Sequence, residues 1–280
     1  MTAAYEIRRA PTLTPLLYDS PHSGRFYPLD FHGGAPRVEL RRGEDAYVDE
    51  LLAGTPALGA ALLAASYPRC YIDVNRAETD VDAALLGEPW PAMLPPLAPT
   101  DKSARGLGLI RRYVTPGVEA QNRLLTVVDV QQRVGLVYQP YHTVLHSLIE
   151  EIRATCGVVW HIDWHSMKSV GNAMTPDGAG AVRADFVVSD MRGASAAPRV
   201  TNAVCDALRS YGYSVSVNDP YTGGTIVQRY GKPAAGVHSV QVEINRRLYL
   251  EEAVVERNGG FSALAVTLDR LTAALVVLAG

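Results

Sequence analysis

The chain has 280 residues, 48% hydrophobic and 20% charged, with 26 Lys plus Arg against 29 Asp plus Glu and a formal net charge of −3. That composition excludes a disordered, collagen-like or fibrous chain and supplies ample apolar surface for a core. It leaves no basic footprint for nucleic acid, and no apolar run approaches the roughly 18 to 20 residues needed to span a bilayer, so neither nucleic acid nor a membrane is expected as a partner.

Met1 to Ala10 mixes Tyr5, Glu6, Arg8 and Arg9 with small residues and lacks the apolar stretch of a secretory signal. The cysteines Cys70, Cys156 and Cys205 are widely spaced and form no CxxC pair, which suits reduced thiols in a cytoplasm better than a disulfide framework. A cytoplasmic protein acting on a small molecule is the expectation.

Apolar β-rich runs alternate with helical patterns, which predicts one α/β domain over residues 1–280, with helices on both sides of a mixed, largely parallel sheet. Strands are expected at Leu16 to Asp19, Cys70 to Val74, Val158 to Asp163, Phe186 to Ser189, Tyr213 to Val217 and Val237 to Ile244. Helices are expected at Asp45 to Ala53, Ala57 to Ala65, Tyr141 to Thr155, Ala194 to Tyr211 and Phe261 to Val277. In the third of these, Leu145, Leu148, Ile149 and Ile152 fall at i, i+3, i+4 and i+7, an apolar face opposite Glu150, Glu151 and Arg153. Gly87 to Pro99 carries Pro89, Pro91, Pro95, Pro96 and Pro99 and is read as a long ordered loop. Glycine-rich stretches at Gly171 to Gly180 and Gly223-Gly224 are read as further loops, at the carboxyl ends of strands where open α/β sheets bind ligands.

Four segments carry chemistry. In Asp19-Ser-Pro-His-Ser-Gly, Pro21 and Gly24 force a turn that leaves His22 at a strand mouth. In His161-Ile-Asp-Trp-His-Ser, alternation puts His161, Asp163 and His165 on one side, a pattern suited to a divalent metal, with the carboxylate coordinating or orienting an imidazole. A catalytic zinc takes three protein ligands, and the stretch Gly43-Glu-Asp-Ala-Tyr-Val-Asp-Glu offers Asp45, Glu44 and Asp49 beside His22 and His165. Asp49 and Glu50 suit a helix N-terminus, and Asp45, where loop meets helix, is the preferred ligand. In Tyr71-Ile-Asp-Val-Asn-Arg, Asn75 and Arg76 form a fork for a substrate carboxylate, unless Arg76 merely pairs with Asp73. In Val240-Gln-Val-Glu-Ile-Asn-Arg, Glu243 lies within an apolar strand, the setting of a general base with a raised pKa or of an ion pair with Arg246 or Arg247. His142 and His146, at i and i+4, lack the glutamate of an HExxH site. His32 and His238 are lone histidines, the latter close enough in sequence to Glu243 to line the same site. No G-x-S-x-G elbow supports a serine hydrolase.

Together, Pro21-His-Ser-Gly, Glu44-Asp-Ala-Tyr-Val-Asp, Asp73-Val-Asn-Arg, Asp163-Trp-His-Ser, Gly223-Gly-Thr-Ile-Val-Gln-Arg-Tyr-Gly and Gln241-Val-Glu-Ile resemble the N-formylglutamate amidohydrolase family over roughly residues 15 to 250. That family is a branch of the zinc carboxypeptidase-like hydrolases, similar also to the aspartoacylase and succinylglutamate desuccinylase group. The resemblance implies a three-layer αβα hydrolase with one zinc bound by His22, Asp45 and His165 and with Glu243 as general base and acid. It also implies that Asn75 and Arg76 hold a substrate carboxylate, that Arg229 gives a second carboxylate contact, and that N-formyl-L-glutamate is cleaved to formate and glutamate. One departure is Arg25, which stands where the carboxypeptidase pattern has a glutamate three residues after the histidine. Another N-acyl amino acid or a short peptide as substrate, or a metal-binding or carboxylate-binding relative without catalysis, are the alternatives.

Overall fold

Strand Val159–Met167 alternates His161, Asp163 and His165 with Trp160, Ile162 and Trp164, and all nine of its residues are buried. A strand buried on both faces needs a cover on each. In a computed structural model, which describes residues 2–280, that strand is the centre of a seven-stranded sheet. In chain order the strands are β1 (Tyr5–Arg8), β2 (Leu16–Ser20), β3 (Ala61–Ala65), β4 (Val159–Met167), β5 (Phe186–Ser189), β6 (Val215–Val217) and β7 (Val237–Asn245). Across the sheet the order is β1-β3-β2-β4-β7-β5-β6. The β1–β3 and β5–β7 pairings are antiparallel and the other four parallel, a mixed, largely parallel sheet.

One face packs against α1 (Gln139–Cys156), whose Leu145, Leu148, Ile149 and Ile152 join Leu17, Leu63, Val159 and Val237 in one core. The opposite face presents Trp160, Ile162, Trp164, Val240, Val242 and Ile244 to α2 (Pro198–Ser210) and α3 (Phe261–Ala279). The result is a three-layer αβα arrangement. The fully buried Leu271 of α3 lies in this second core, so Leu271→Ala is expected to lower unfolding stability by about 2–5 kcal/mol, measured by denaturant titration. By length and composition α3 is apolar enough to cross a membrane, although Asp269 and Arg270 interrupt its apolar run, leaving Leu271 to Ala279 as the longest stretch. Its Leu264, Leu268, Leu271 and Leu275, spaced to form one stripe, pack into the core.

Four element assignments differ from the sequence reading. Ala57 to Ala65, expected as a helix, is a 3₁₀ turn at Thr55–Leu58, then Gly59 with φ +114° and then β3. Alanine is the strongest helix former, but propensity is a small term, and pairing with strands on both sides overrides it here. Cys70 to Val74, expected as a strand, forms a turn after Pro68, with the Tyr71 amide bonded to the Pro68 carbonyl at 2.9 Å. Its apolar residues are buried in a loop layer with Leu109 and Ile110. The helix expected from Asp45 shrinks to Val48–Leu51, and β1 at the sheet edge has no counterpart in the sequence reading.

Candidate active site

The parallel strands β2, β4 and β7 end on the same side, and the site is built there. His22 follows β2, and its carbonyl accepts the Asp45 amide at 2.9 Å, tying the two segments together. Gly24 closes the turn, since a Cβ there would stand 2.3 Å from the Tyr67 carbonyl oxygen. His165 lies in β4 directly opposite Glu243 in β7. In a parallel pair this puts both side chains on one face.

His22 Nδ1 lies 3.0 Å from His165 Nδ1, while Asp45 Oδ2 is 2.9 Å from His165 Nδ1 and 3.3 Å from His22 Nδ1. All three residues are almost fully buried. The opposite ring nitrogens face carboxylates, His22 Nε2 at 2.7 Å from Asp73 Oδ1 and His165 Nε2 at 2.9 Å from Asp163 Oδ1. Those carboxylates select neutral imidazoles with the proton on Nε2, which leaves two Nδ1 lone pairs and one carboxylate oxygen converging on each other. Three acceptors in this arrangement repel unless a cation lies between them. Tetrahedral zinc, with bonds of about 2.0–2.1 Å, sets neighbouring donors ~3.3 Å apart. The group can therefore hold a metal ion.

Protons and a metal compete for these nitrogens, and the same carboxylates that would steady a cation also favour a proton there. Burial alone would raise Asp45, but the adjoining His165 and His22 and the nearby Arg69 hold it well below the usual carboxylate range. Burial and the Arg69 charge depress His22. Burial opposes charge on His165, yet Asp163 and Asp45 raise it well above the ordinary histidine value. Asp45 is also flanked by Arg246, whose Nη2 is 3.2 Å from its Oδ1.

Glu243 accepts a hydrogen bond from Gln241 Nε2 at 2.9 Å, and burial raises its pKa despite the neighbouring His165. The ion-pair alternatives for it do not form, because Arg246 turns to Asp45 and Ser166, and Arg247 pairs with Asp185 at 2.7 Å. Glu243 and the metal-competent group open together onto a cavity of about 280 Å³ lined by eight Lys or Arg side chains. Such a lining selects for anions.

Asn75 and Arg76 both line this cavity. Asn75 Oδ1 accepts the Ile226 amide at 2.8 Å, which fixes its Nδ2 against His165 Nε2 at 3.0 Å. The glycine pair makes this possible, since a Cβ on Gly224 would come within 2.5 Å of the Asn75 amide. Asn75 thus links the Ile226 backbone to Asp163, the carboxylate beside His165, where the sequence suggested a fork with Arg76. Arg76 donates Nε to Leu107 O and Nη1 to Asn75 O. Arg229 is exposed, reaches the Tyr138 hydroxyl at 3.5 Å and does not line the cavity, which corrects its expected second carboxylate contact. The helix it sits on turns its Ile226 and Val227 inward and leaves Arg229 on the outer side.

Glu44 is buried but pairs with Tyr27 and Arg41, so Asp45 is the carboxylate brought to the histidines. Asp73 pairs with Arg69 at 2.9 Å and with His22, where an Arg76 pair was the bland expectation. His161 faces Asp19 at 2.9 Å and Ser239 and stays out of the cluster. His142 bonds Tyr230 and the Val74 carbonyl, His146 and His32 are exposed, and His238 accepts the Ala197 amide. Arg69, Arg246 and Arg111 line the cavity without having been singled out for it. They lie far apart in sequence, and only the fold gathers them. Asp73→Ala removes the acceptor that fixes the His22 tautomer, and the expected result is about a 10–100-fold loss of metal affinity or activity, read by metal titration.

Residues 14–250 match the N-formylglutamate amidohydrolase family. The chain is 29% identical over 242 residues to an N-formylglutamate deformylase of Pseudomonas aeruginosa, covering 85% of this chain and 83% of that one. It is 28% identical over 244 residues to the enzyme of the same name from Pseudomonas putida, covering 85% and 82%. A crystal structure of N-formylglutamate amidohydrolase from Ralstonia eutropha superposes with a TM-score of 0.91 at 39% identity, covering 99% of each chain. A gene product of Agrobacterium tumefaciens shares the fold, with a TM-score of 0.71 at 18% identity over 99% of this chain and 96% of that one. With donor set, cavity and fold in agreement, the chain belongs to the N-formylglutamate amidohydrolase family.

Proposed function

We propose that this chain, acting as one catalytic domain, hydrolyses N-formyl-L-glutamate to formate and L-glutamate with one zinc ion held by His22, Asp45 and His165. The observation that carries this is the convergence of two Nδ1 atoms and a carboxylate oxygen beside Glu243 in a cation-lined cavity. The names of its relatives supply the acyl group and the amino acid. Two imidazoles favour zinc over harder ions. Bound there, zinc supplies Lewis acidity, polarising an amide carbonyl and making water acidic enough to attack near neutral pH.

The chain's own residues do the rest. Glu243 accepts the proton of the attacking water on its carboxylate and returns it to the leaving amine nitrogen, a double task that suits a carboxyl with a raised pKa. Asp73 and Asp163 hold both imidazoles in the binding tautomer, and Asn75 directs its Nδ2 at Asp163. Arg76 offers its guanidinium to a substrate carboxylate.

The test is release of formate and glutamate from N-formyl-L-glutamate, run beside N-acetyl-L-glutamate and a dipeptide. Release from the formyl compound is the expected result. Turnover of only the acetyl compound or the dipeptide would move the substrate, and turnover of none by metal-loaded protein would leave a binding relative.

A further inference from the structure

Most cations around the cavity already have partners. Arg183 holds Asp177 with two contacts of 2.8 Å, Arg69 holds Asp73, and Arg246 holds Asp45. Arg111 differs. It is 7% exposed, its Nε is buried without a partner, and among the described residues its guanidinium makes no hydrogen bond. Its one ion pair is a 3.6 Å approach of Nε to Asp73 Oδ2, an oxygen already taken by Arg69. Lys102 lines the same cavity and its ammonium is likewise unbonded among the described residues.

A buried cation without a partner is costly in the empty protein and is retained where a ligand supplies the counter-charge. We propose that Arg111, with Lys102 beside it, is a second carboxylate-binding subsite, separate from Arg76, so that the enzyme selects N-acyl amino acids carrying two carboxylates. This rests on the N-acyl amino acid reading of the site and assigns residues to its specificity. The charges support it. Burial, then Arg69, pushes Arg111 down to about 9, and burial, then Arg76 and Arg111, pushes Lys102 down to about 8. The cations repel one another until an anion enters. The loop is held for the purpose, with the Leu109 amide bonded to Asp80 O and the Asp73 amide to Leu109 O, each at 2.7 Å.

The experiment compares the zinc-loaded wild type with Arg111→Met and Arg111→Lys in two readouts. In calorimetry, glutarate is expected to bind the wild type and to bind Arg111→Met about 30-fold or more weakly, with partial recovery in Arg111→Lys. Thermal unfolding of unliganded Arg111→Met is expected at the wild-type temperature or above it, because an unpaired buried charge has been removed. In turnover, the kcat/KM penalty of Arg111→Met on N-formyl-L-glutamate should vanish on one of two half-amides, N-formyl-L-glutamine or N-formyl-L-isoglutamine, and persist on the other. The half-amide on which it vanishes names the carboxylate that Arg111 reads. Unchanged glutarate binding, an equal penalty on all three substrates, or a lowered unfolding temperature, which marks a structural arginine, overturns the proposal. Glutarate binding that depends on Arg111 in a protein that releases no formate would leave this subsite standing and reject the reaction assigned to the site.

Discussion

Glu243→Gln is expected to lower kcat for formate release by ~10²–10⁴-fold, the usual contribution of a positioned acid–base group, with bound metal and KM little changed. The substitution keeps shape and removes only the ability to take and return a proton. Glutamine can still hydrogen-bond with Gln241, the one side chain among the described residues that bonds Glu243. Glu243 touches the cavity but supplies no atom to the group of three donors, so the metal should stay. A drop in kcat with unchanged metal content separates this role from that of a ligand. Full turnover in metal-loaded Glu243→Gln would remove the proposed mechanism.

His165→Ala is expected to lose bound zinc, with affinity falling by more than the ~10–100-fold that follows loss of an outer partner. Metal per chain measured after dialysis reads this directly. The effect should be large because His165 joins every part of the site, facing His22 and Asp45 through Nδ1 and Asp163 and Asn75 through Nε2. His146→Ala, on the exposed side of α1, serves as the control and should keep its metal. Equal zinc content in both variants would mean that the ligand set is wrong at His165.

Much of this site was legible because its residues follow a local rule. Alternation in β4 alone places Asp163 and His165 on one face, and the isolated carboxylate in the apolar run of β7 marks Glu243 before its neighbour is known. Asp45 was legible as the residue where loop meets helix. What could not be read depends on tertiary neighbours. The alanines of β3 carry no strand signal, and their place between β1 and β2 decides their conformation. The apolar run at Cys70 to Val74 is as buried as a strand would be, but it covers the site as a turn, which brings Asp73 to His22. The surroundings of Asn75 and Arg111 depend on backbone from Ile226 and on Arg69 holding the Asp73 oxygen nearest Arg111, and neither leaves a mark in local sequence.

Formate release from N-formyl-L-glutamate by chelator-stripped protein, before and after adding back one equivalent of zinc, reads directly whether the His22, Asp45 and His165 donor set makes deformylation possible. Negligible release from the stripped protein and recovery with zinc are expected, with no recovery in His165→Ala under the same treatment. Undiminished release from protein shown to contain no metal would contradict that role.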